Sequence, residues 1–236
     1  MENTYVYRIM PMDSFVYIHG FNSGAESRSG RLLEQLLQQP IIRPQCDYSL
    51  PFVQCLSDIR RQILEKIDPK IDRICLMGSS LGGFFALNLR HPAICHVVAW
   101  NPVIYPAVQL ERFIGKNTRF TDGIAWDFSH EILLSYAAAP DPRPWHNTIW
   151  QEECRIAVDS AGDVEKACGM TPVQCDASKI PARDIFLGTH DELLNSQLAR
   201  AYWNGVARLY DIDSGHSIVD YWHAAWLLKS DLVFEM

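Results

Sequence analysis

Ile74-Cys75-Leu76-Met77-Gly78-Ser79-Ser80-Leu81-Gly82-Gly83-Phe84 is the stretch that decides how the chain is read. An apolar run ends in Gly78-Ser79-Ser80-Leu81-Gly82 and passes at once into a helix-like stretch, Phe84 to Arg90. That is the G-x-S-x-G pattern in the setting it needs: strand, sharp turn, helix. Ser80 sits at the apex, where such a turn strains the backbone and lifts the hydroxyl clear of it. Gly78, Gly82 and Gly83 let strand and helix pass close together without side-chain clash. Short patterns of this kind also arise by chance, so the flanking strand and helix carry more weight than the string. A competing reading is a phosphate-binding loop, because Gly78 and Gly83 have the G-x-x-x-x-G spacing. That loop requires Lys and Ser/Thr next, and Phe84-Phe85 stand there instead, which rejects nucleotide binding.

The 236 residues allow a sizeable core and are most simply one domain, 1–236. Hydrophobic residues make up 48% and charged residues 21%, which is ordinary for a globular protein. A formal net charge of −7 argues against nucleic acid and against an anionic membrane surface, both of which need a basic face. Met1 to Asp13 shows no charged start followed by an apolar segment, so no signal peptide is expected, and no apolar stretch is long enough to span a bilayer. Seven cysteines are an odd number, and Cys75 and Cys95 fall in expected buried strands. They read as reduced thiols of a cytoplasmic protein; Cys154, Cys168 and Cys175 could pair only if the chain were exported. There is no C-x-x-C pair, and His130-Glu131 opens like H-E-x-x-H but meets Leu134 where the second histidine belongs. No metal is expected.

Phe15 to Ile18 reads as a buried strand that ends in the turn-rich loop His19-Gly20-Phe21-Asn22-Ser23-Gly24. Gly30 to Gln39 has helical apolar spacing and is stopped by Pro40. Ile41 to Leu50 looks extended, with room for a short strand, and Phe52 to Ile67 is an amphipathic helix. The elbow strand, Ile71 to Met77, and its helix follow, and then a buried strand, Ile94 to Trp100. Further on, Ala182 to Gly188 and Val206 to Ile212 read as strands, Leu194 to Trp203 and Val219 to Leu228 as helices. This alternation implies a mostly parallel sheet with helices on both faces. Functional loops of such sheets lie at the carboxyl ends of the strands, where His19-Gly20, Ser80 and Asn101 all stand. Between them, Val103 to Ile180 breaks the alternation. It is rich in Pro and Trp (Trp126, Trp145, Trp150), holds helical stretches near Ala107–Ile114, Ser129–Ala138 and Ile149–Val158, and shows no strong strand. It is expected to be a helical lid. Most of its aromatics should pack it onto the core, leaving one or two to line an acyl pocket.

A serine hydroxyl needs a base within reach, and the base needs a carboxylate to fix its tautomer. Ser80, Asp191 and His216 each follow an expected strand, in an order that serine hydrolases on such sheets use. His190 is the rival base, but adjacent residues on an extended loop point apart, so Asp191 could not easily orient it. Glu192 is the alternative acid. Two oxyanion donors are also needed; Leu81 N–H at the helix start and Phe21 N–H, made approachable by Gly20, are the candidates. His19 is then a structural residue of that loop.

Together, Tyr17-Ile18-His19-Gly20-Phe21-Asn22-Ser23, Met77 to Phe84, Asn101-Pro102-Val103, Gly188 to Leu193 and Gly215-His216-Ser217 resemble the α/β-hydrolase superfamily and, more narrowly, the small bacterial YqiA-type esterases. The resemblance covers both ends of the chain. It implies hydrolysis of a small-molecule carboxylic ester or thioester, with Ser80 as nucleophile, Asp191 as acid, His216 as base and no metal or organic cofactor. The span between Asn101 and Asp191 is longer than in that compact group, and the few residues before the first strand imply a sheet of about six strands. A non-catalytic binding protein of the same fold, and a peptidase or acyltransferase with the same triad, are the alternatives. Oligomeric state is left open.

Overall fold

A computed structural model describes residues 13–68, 72–143, 181–218 and 220–234. Its six-stranded sheet is parallel throughout, in the order β2-β1-β3-β4-β7-β8. The strands are β1 (Asp13–Ile18), β2 (Ile41–Ile42), β3 (Arg73–Ser79), β4 (Ile94–Trp100), β7 (Ala182–Gly188) and β8 (Arg208–Ile212). The sheet is the expected one. β3 reaches Ser79, and the helix behind it, α3 (Leu81–Asn88), starts directly after Ser80 rather than at Phe84.

Side-chain alternation divides the core into two. Val16, Ile18, Leu76, Val97, Ala99, Ile185 and Leu187 point to one face. Phe15, Tyr17, Cys75, Met77, Val98, Trp100 and Phe186 point to the other. The second face is covered by α1 (Arg28–Leu37) and α7 (Trp222–Phe234), through Leu33, Leu37, Ala224, Ala225 and Leu228. α1 begins at Ser27, whose Oγ accepts from Gly30 N–H, and ends where Gln38 turns left-handed at φ 57°. The first face carries α2 (Phe52–Leu64), α3 and α6 (Ser196–Trp203). α2 is amphipathic as expected but ends at Leu64 rather than Ile67; it buries Phe52, Cys55, Ile59 and Ile63, while Val53 is exposed. Every residue of α3 is buried, so a helix that is apolar all round is closed in by the insertion above it.

The described part of that insertion corrects one expectation. α4 (Pro106–Gln109), a 3₁₀ turn (Glu111–Phe113) and α5 (His130–Ala137) are helical as anticipated, but an antiparallel hairpin of β5 (Gly115–Thr118) and β6 (Ala125–Phe128) lies between them. Its strands are four residues each, too short for the period-2 pattern of Trp126 and Phe128 in β6 to stand out. The legible signal was Asp122-Gly123 in its loop, with Gly123 at φ 73°. Phe128 and Tyr136 of the insertion meet each other and the core: Tyr136 stands edge-on to Phe85 and Phe52. Ile149–Val158, Trp145, Trp150, Cys154, Cys168 and Cys175 lie outside the described residues. Among the described residues no helix is long and apolar enough to cross a membrane.

Buried histidines mark both ends of the sheet. At the amino ends of the strands, His96 Nε2 lies 2.6 Å from Asp184 Oδ2, and Arg208 donates to both oxygens of Asp184. His19 and His91 are held neutral by desolvation, each with its pKa lowered from 6.5 to about 4. Unfolding restores their ordinary basicity, so between about pH 6.5 and 4 the unfolded chain binds more protons and stability falls with pH. Each site is worth on the order of 3 kcal/mol over that window. Thermal unfolding followed from pH 7.5 to 4.5 should therefore show a steadily falling midpoint, shallower in His91→Gln; a flat profile in the wild type would contradict the neutral-histidine assignment.

Candidate active site

The sheet's strand order reverses between β1 and β3, and the crevice at their carboxyl ends is where the chemistry-bearing residues gather. Ser80 adopts φ 53°, ψ −121°, a conformation that a non-glycine residue holds only when its surroundings leave no alternative. Those surroundings are backbone. A Cβ on Gly78 would stand 2.4 Å from Gly82 O, and one on Gly82 would stand 2.1 Å from Ile18 O and 2.4 Å from His19 O. Ser80 N–H donates to Trp100 O at 2.9 Å, while Ser80 O accepts from Phe84 N–H and Val103 N–H. The turn is thus clamped by β1, β4 and its own helix.

Ser80, Asp191 and His216 come together as a connected chain. His216 Nδ1 lies 3.0 Å from Asp191 Oδ2 and 3.2 Å from Oδ1, and its Nε2 lies 3.0 Å from Ser80 Oγ. A carboxylate only accepts, so Nδ1 carries the proton and Nε2 is free to accept from the Ser80 hydroxyl. The Asp191 side chain is 1% exposed, and its Oδ1 also accepts from Leu193 N–H and Leu194 N–H, both at 2.8 Å. These bonds hold the carboxylate aimed at the imidazole. His190 points away: it is largely exposed and pairs with Asp213 at 3.0 Å. Glu192 takes a supporting place, its Oε2 accepting from the His216 backbone N–H at 3.0 Å, which lowers its own pKa.

The loop after β1 lies against the elbow; a Cβ on Gly20 would meet Ser79 O at 3.3 Å and Ser80 Cβ at 3.4 Å. His19 is buried beneath it. Cys46 N–H donates to His19 Nε2 at 3.1 Å, so Nδ1 bears the hydrogen and donates to Gly20 O at 3.0 Å. Tyr48 OH donates to His19 O. Phe21 projects among Phe113, Trp126 and Phe128, with ring centroids about 5 Å apart. The hairpin grips the next residue: Trp126 Nε1 donates to Asn22 Oδ1, Asn22 Nδ2 to Asn117 Oδ1, and Phe120 N–H to Asn22 O. Leu81, directly after Ser80, begins α3.

One positioning residue carries no sequence signal beyond its place at a strand end. Asn101, at φ 42°, accepts from Gly188 N–H at 2.7 Å and donates from Nδ2 to Gly215 O at 3.2 Å and His216 O at 3.0 Å. One amide thereby ties the ends of β4 and β7 to the loop that holds the histidine. Ser80 and His216 open on a cavity of about 290 Å³. Among the described residues no group of three or more His, Cys, Asp or Glu side chains is arranged to hold a metal ion.

This is the α/β-hydrolase fold, and solved esterases share it. Est1E from Butyrivibrio proteoclasticus superposes with TM-score 0.56 at 12% identity, covering 95% of this chain and 90% of that one. The Pyrococcus furiosus esterase PF2001 gives 0.55 at 14%, covering 96% and 82%. A structure described under the metagenome-derived lipolytic enzymes LipS and LipT gives 0.55 at 13%, covering 95% and 94%. The chain itself belongs to the uncharacterised protein family UPF0227, a YqiA-like family, which it matches over residues 14–230. UPF0227 proteins of Yersinia pseudotuberculosis and Yersinia pestis are 24% identical over 161 residues, which cover 58% of this chain and 87% of theirs.

Removing the Asn101 amide frees the histidine loop without touching Ser80. Asn101→Ala should slow the reaction of Ser80 with a fluorophosphonate by roughly 10- to 100-fold. An unchanged rate constant in the folded variant would remove Asn101 from this role.

Proposed function

We propose that the chain is a serine hydrolase of carboxylic esters or thioesters that works through an acyl-enzyme on Ser80. The observation that carries this is the continuous Asp191–His216–Ser80 hydrogen-bond chain at a strained elbow. His216 Nε2 takes the hydroxyl proton as Ser80 Oγ attacks the acyl carbonyl. Asp191 stabilises the imidazolium so formed. The N–H groups of Phe21 and Leu81 receive the tetrahedral oxyanion; the loss of one such donor typically costs on the order of a hundredfold or more. His216 then protonates the leaving alcohol or thiol, and water repeats the sequence on the acyl-enzyme. No step calls for a metal or organic cofactor.

The segment 103–180 serves in this reading as the lid of a single domain. Leu110, Phe113 and Phe120 bring apolar surface from it to the cavity, which suits a short acyl group. The compartment that goes with this reading is the cytoplasm.

Labelling with a fluorophosphonate probe, mapped by mass spectrometry, tests the reading. An adduct on Ser80 is expected in the wild type, absent in Ser80→Ala and formed at least about a hundredfold more slowly in His216→Ala. The same wild type should hydrolyse p-nitrophenyl butyrate. A folded wild type that takes no label and cleaves neither ester nor thioester would overturn it.

A further inference from the structure

The cavity beside Ser80 has two unlike walls. One is apolar, made by Phe21, Leu110, Phe113, Phe120, Leu193 and Leu194. The other is a group of hydroxyls from Tyr17, Ser29, Ser79 and Tyr221. Tyr17 OH lies 2.8 Å from Ser79 Oγ, and Tyr221 OH donates to Ser29 Oγ at 2.9 Å. The two pairs also face each other across Tyr17. Both phenols are almost wholly buried, at 2% and 3% exposure. α1 is pressed onto this wall, since a Cβ on Gly30 would meet Tyr17 Cδ1 at 3.2 Å.

Hydroxyls are costly to bury without partners. The four hydroxyls bond to one another within this cluster, and because each oxygen has two lone pairs and all four residues line the cavity, they keep capacity to accept hydrogen bonds from whatever enters it. Burial raises the pKa of both phenols, Tyr17 and Tyr221, so each keeps its O–H at neutral pH. The wall also has a definite place relative to the chemistry. Ser79 directly precedes Ser80, and Tyr221 closes the loop that carries His216. The leaving oxygen must reach His216 Nε2 for its proton, so the leaving group departs on the histidine side. The apolar wall is then left for the acyl chain.

We propose that the hydroxyls of Tyr17, Ser29, Ser79 and Tyr221 form the subsite for the leaving alcohol, and that this alcohol is a small polyol of glycerol size rather than an alkyl chain. The proposal rests on ester hydrolysis at Ser80. When the tetrahedral intermediate collapses, the bond from the acyl carbon to the alcohol oxygen breaks, and that oxygen takes the proton from His216 Nε2. The remaining hydroxyls of the polyol exchange hydrogen bonds with the wall. A volume of about 290 Å³ is at the small end for such sites and fits a short acyl ester of a three-carbon alcohol.

Glyceryl monobutyrate and propyl butyrate share the acyl group and the three-carbon skeleton and differ only in hydroxyls. The purified chain should show a kcat/KM at least about tenfold higher for the glyceryl ester. Tyr17→Phe and Tyr221→Phe, made separately, should each bring the ratio of the two values toward one; Ser29→Ala serves if either fails to fold. A purely structural role would lower both values together and leave the ratio. A wild-type ratio near one, or a ratio that none of the folded variants changes, overturns the subsite. So does a preference for propyl 3-hydroxybutyrate over propyl butyrate that exceeds the glyceryl effect, since it would put the acyl group on the hydroxyl wall. If Ser80 takes no fluorophosphonate and neither ester is cleaved, ester hydrolysis itself fails. Cleavage of both esters at equal kcat/KM, with Ser80 labelled, fails the subsite alone.

Discussion

Everything at the site depends on backbone crowding around Ser80. A non-glycine residue at φ 53°, ψ −121° sits in a conformation that costs on the order of 1–3 kcal/mol. It persists because β3 and α3 pass so closely that Gly78 and Gly82 have no room even for a methyl group. Ile18 and His19 press on Gly82 from β1, so the first strand of the sheet holds the elbow as firmly as the strand that bears it. The strain is offset by a fully buried helix behind it and by the sheet in front.

From that constraint the remaining geometry follows. A serine raised at the carboxyl end of β3 can only be met by groups from neighbouring carboxyl ends. Asp191 follows β7 and His216 follows β8, and the two loops are laced together by Asn101, by Glu192 and by the backbone bonds from Thr189 N–H to Ile212 O and from His190 N–H to Ser214 O. The loop after β1 brings Phe21 alongside, and the insertion locks Phe21 and Asn22 in place with Trp126, Phe128 and Asn117. The insertion therefore does two things at once: it covers α3, and it shapes the wall of the cavity.

The parts of this molecule that were legible in sequence are those set by local chemistry. The sheet strands are near-continuous apolar runs, the elbow has its glycines, and the residues after three of the strands could be placed at one end by topology alone. Ser80, Asp191 and His216 could be named for that reason, and His190 set aside on backbone direction. What escaped was set by tertiary contact. The β5–β6 hairpin has strands of only four residues, too short a run for the alternation of Trp126 and Phe128 in β6 to stand out, and those two side chains hold it against Phe21. Asn101 could be placed at a strand end, but its three hydrogen bonds depend on residues about ninety and more positions away. The hydroxyl wall draws on β1, α1, β3 and the segment before α7, which no local motif unites.

The central claim is that this elbow makes Ser80 a nucleophile that carries the acyl group. Acid quenching during turnover of p-nitrophenyl butyrate, followed by peptide mass spectrometry, tests it most directly. A butyryl group is expected on the Ser80 peptide, present in the wild type during turnover and absent in Ser80→Ala. Turnover that continues with no acyl group on Ser80, or with one on another residue, would contradict it.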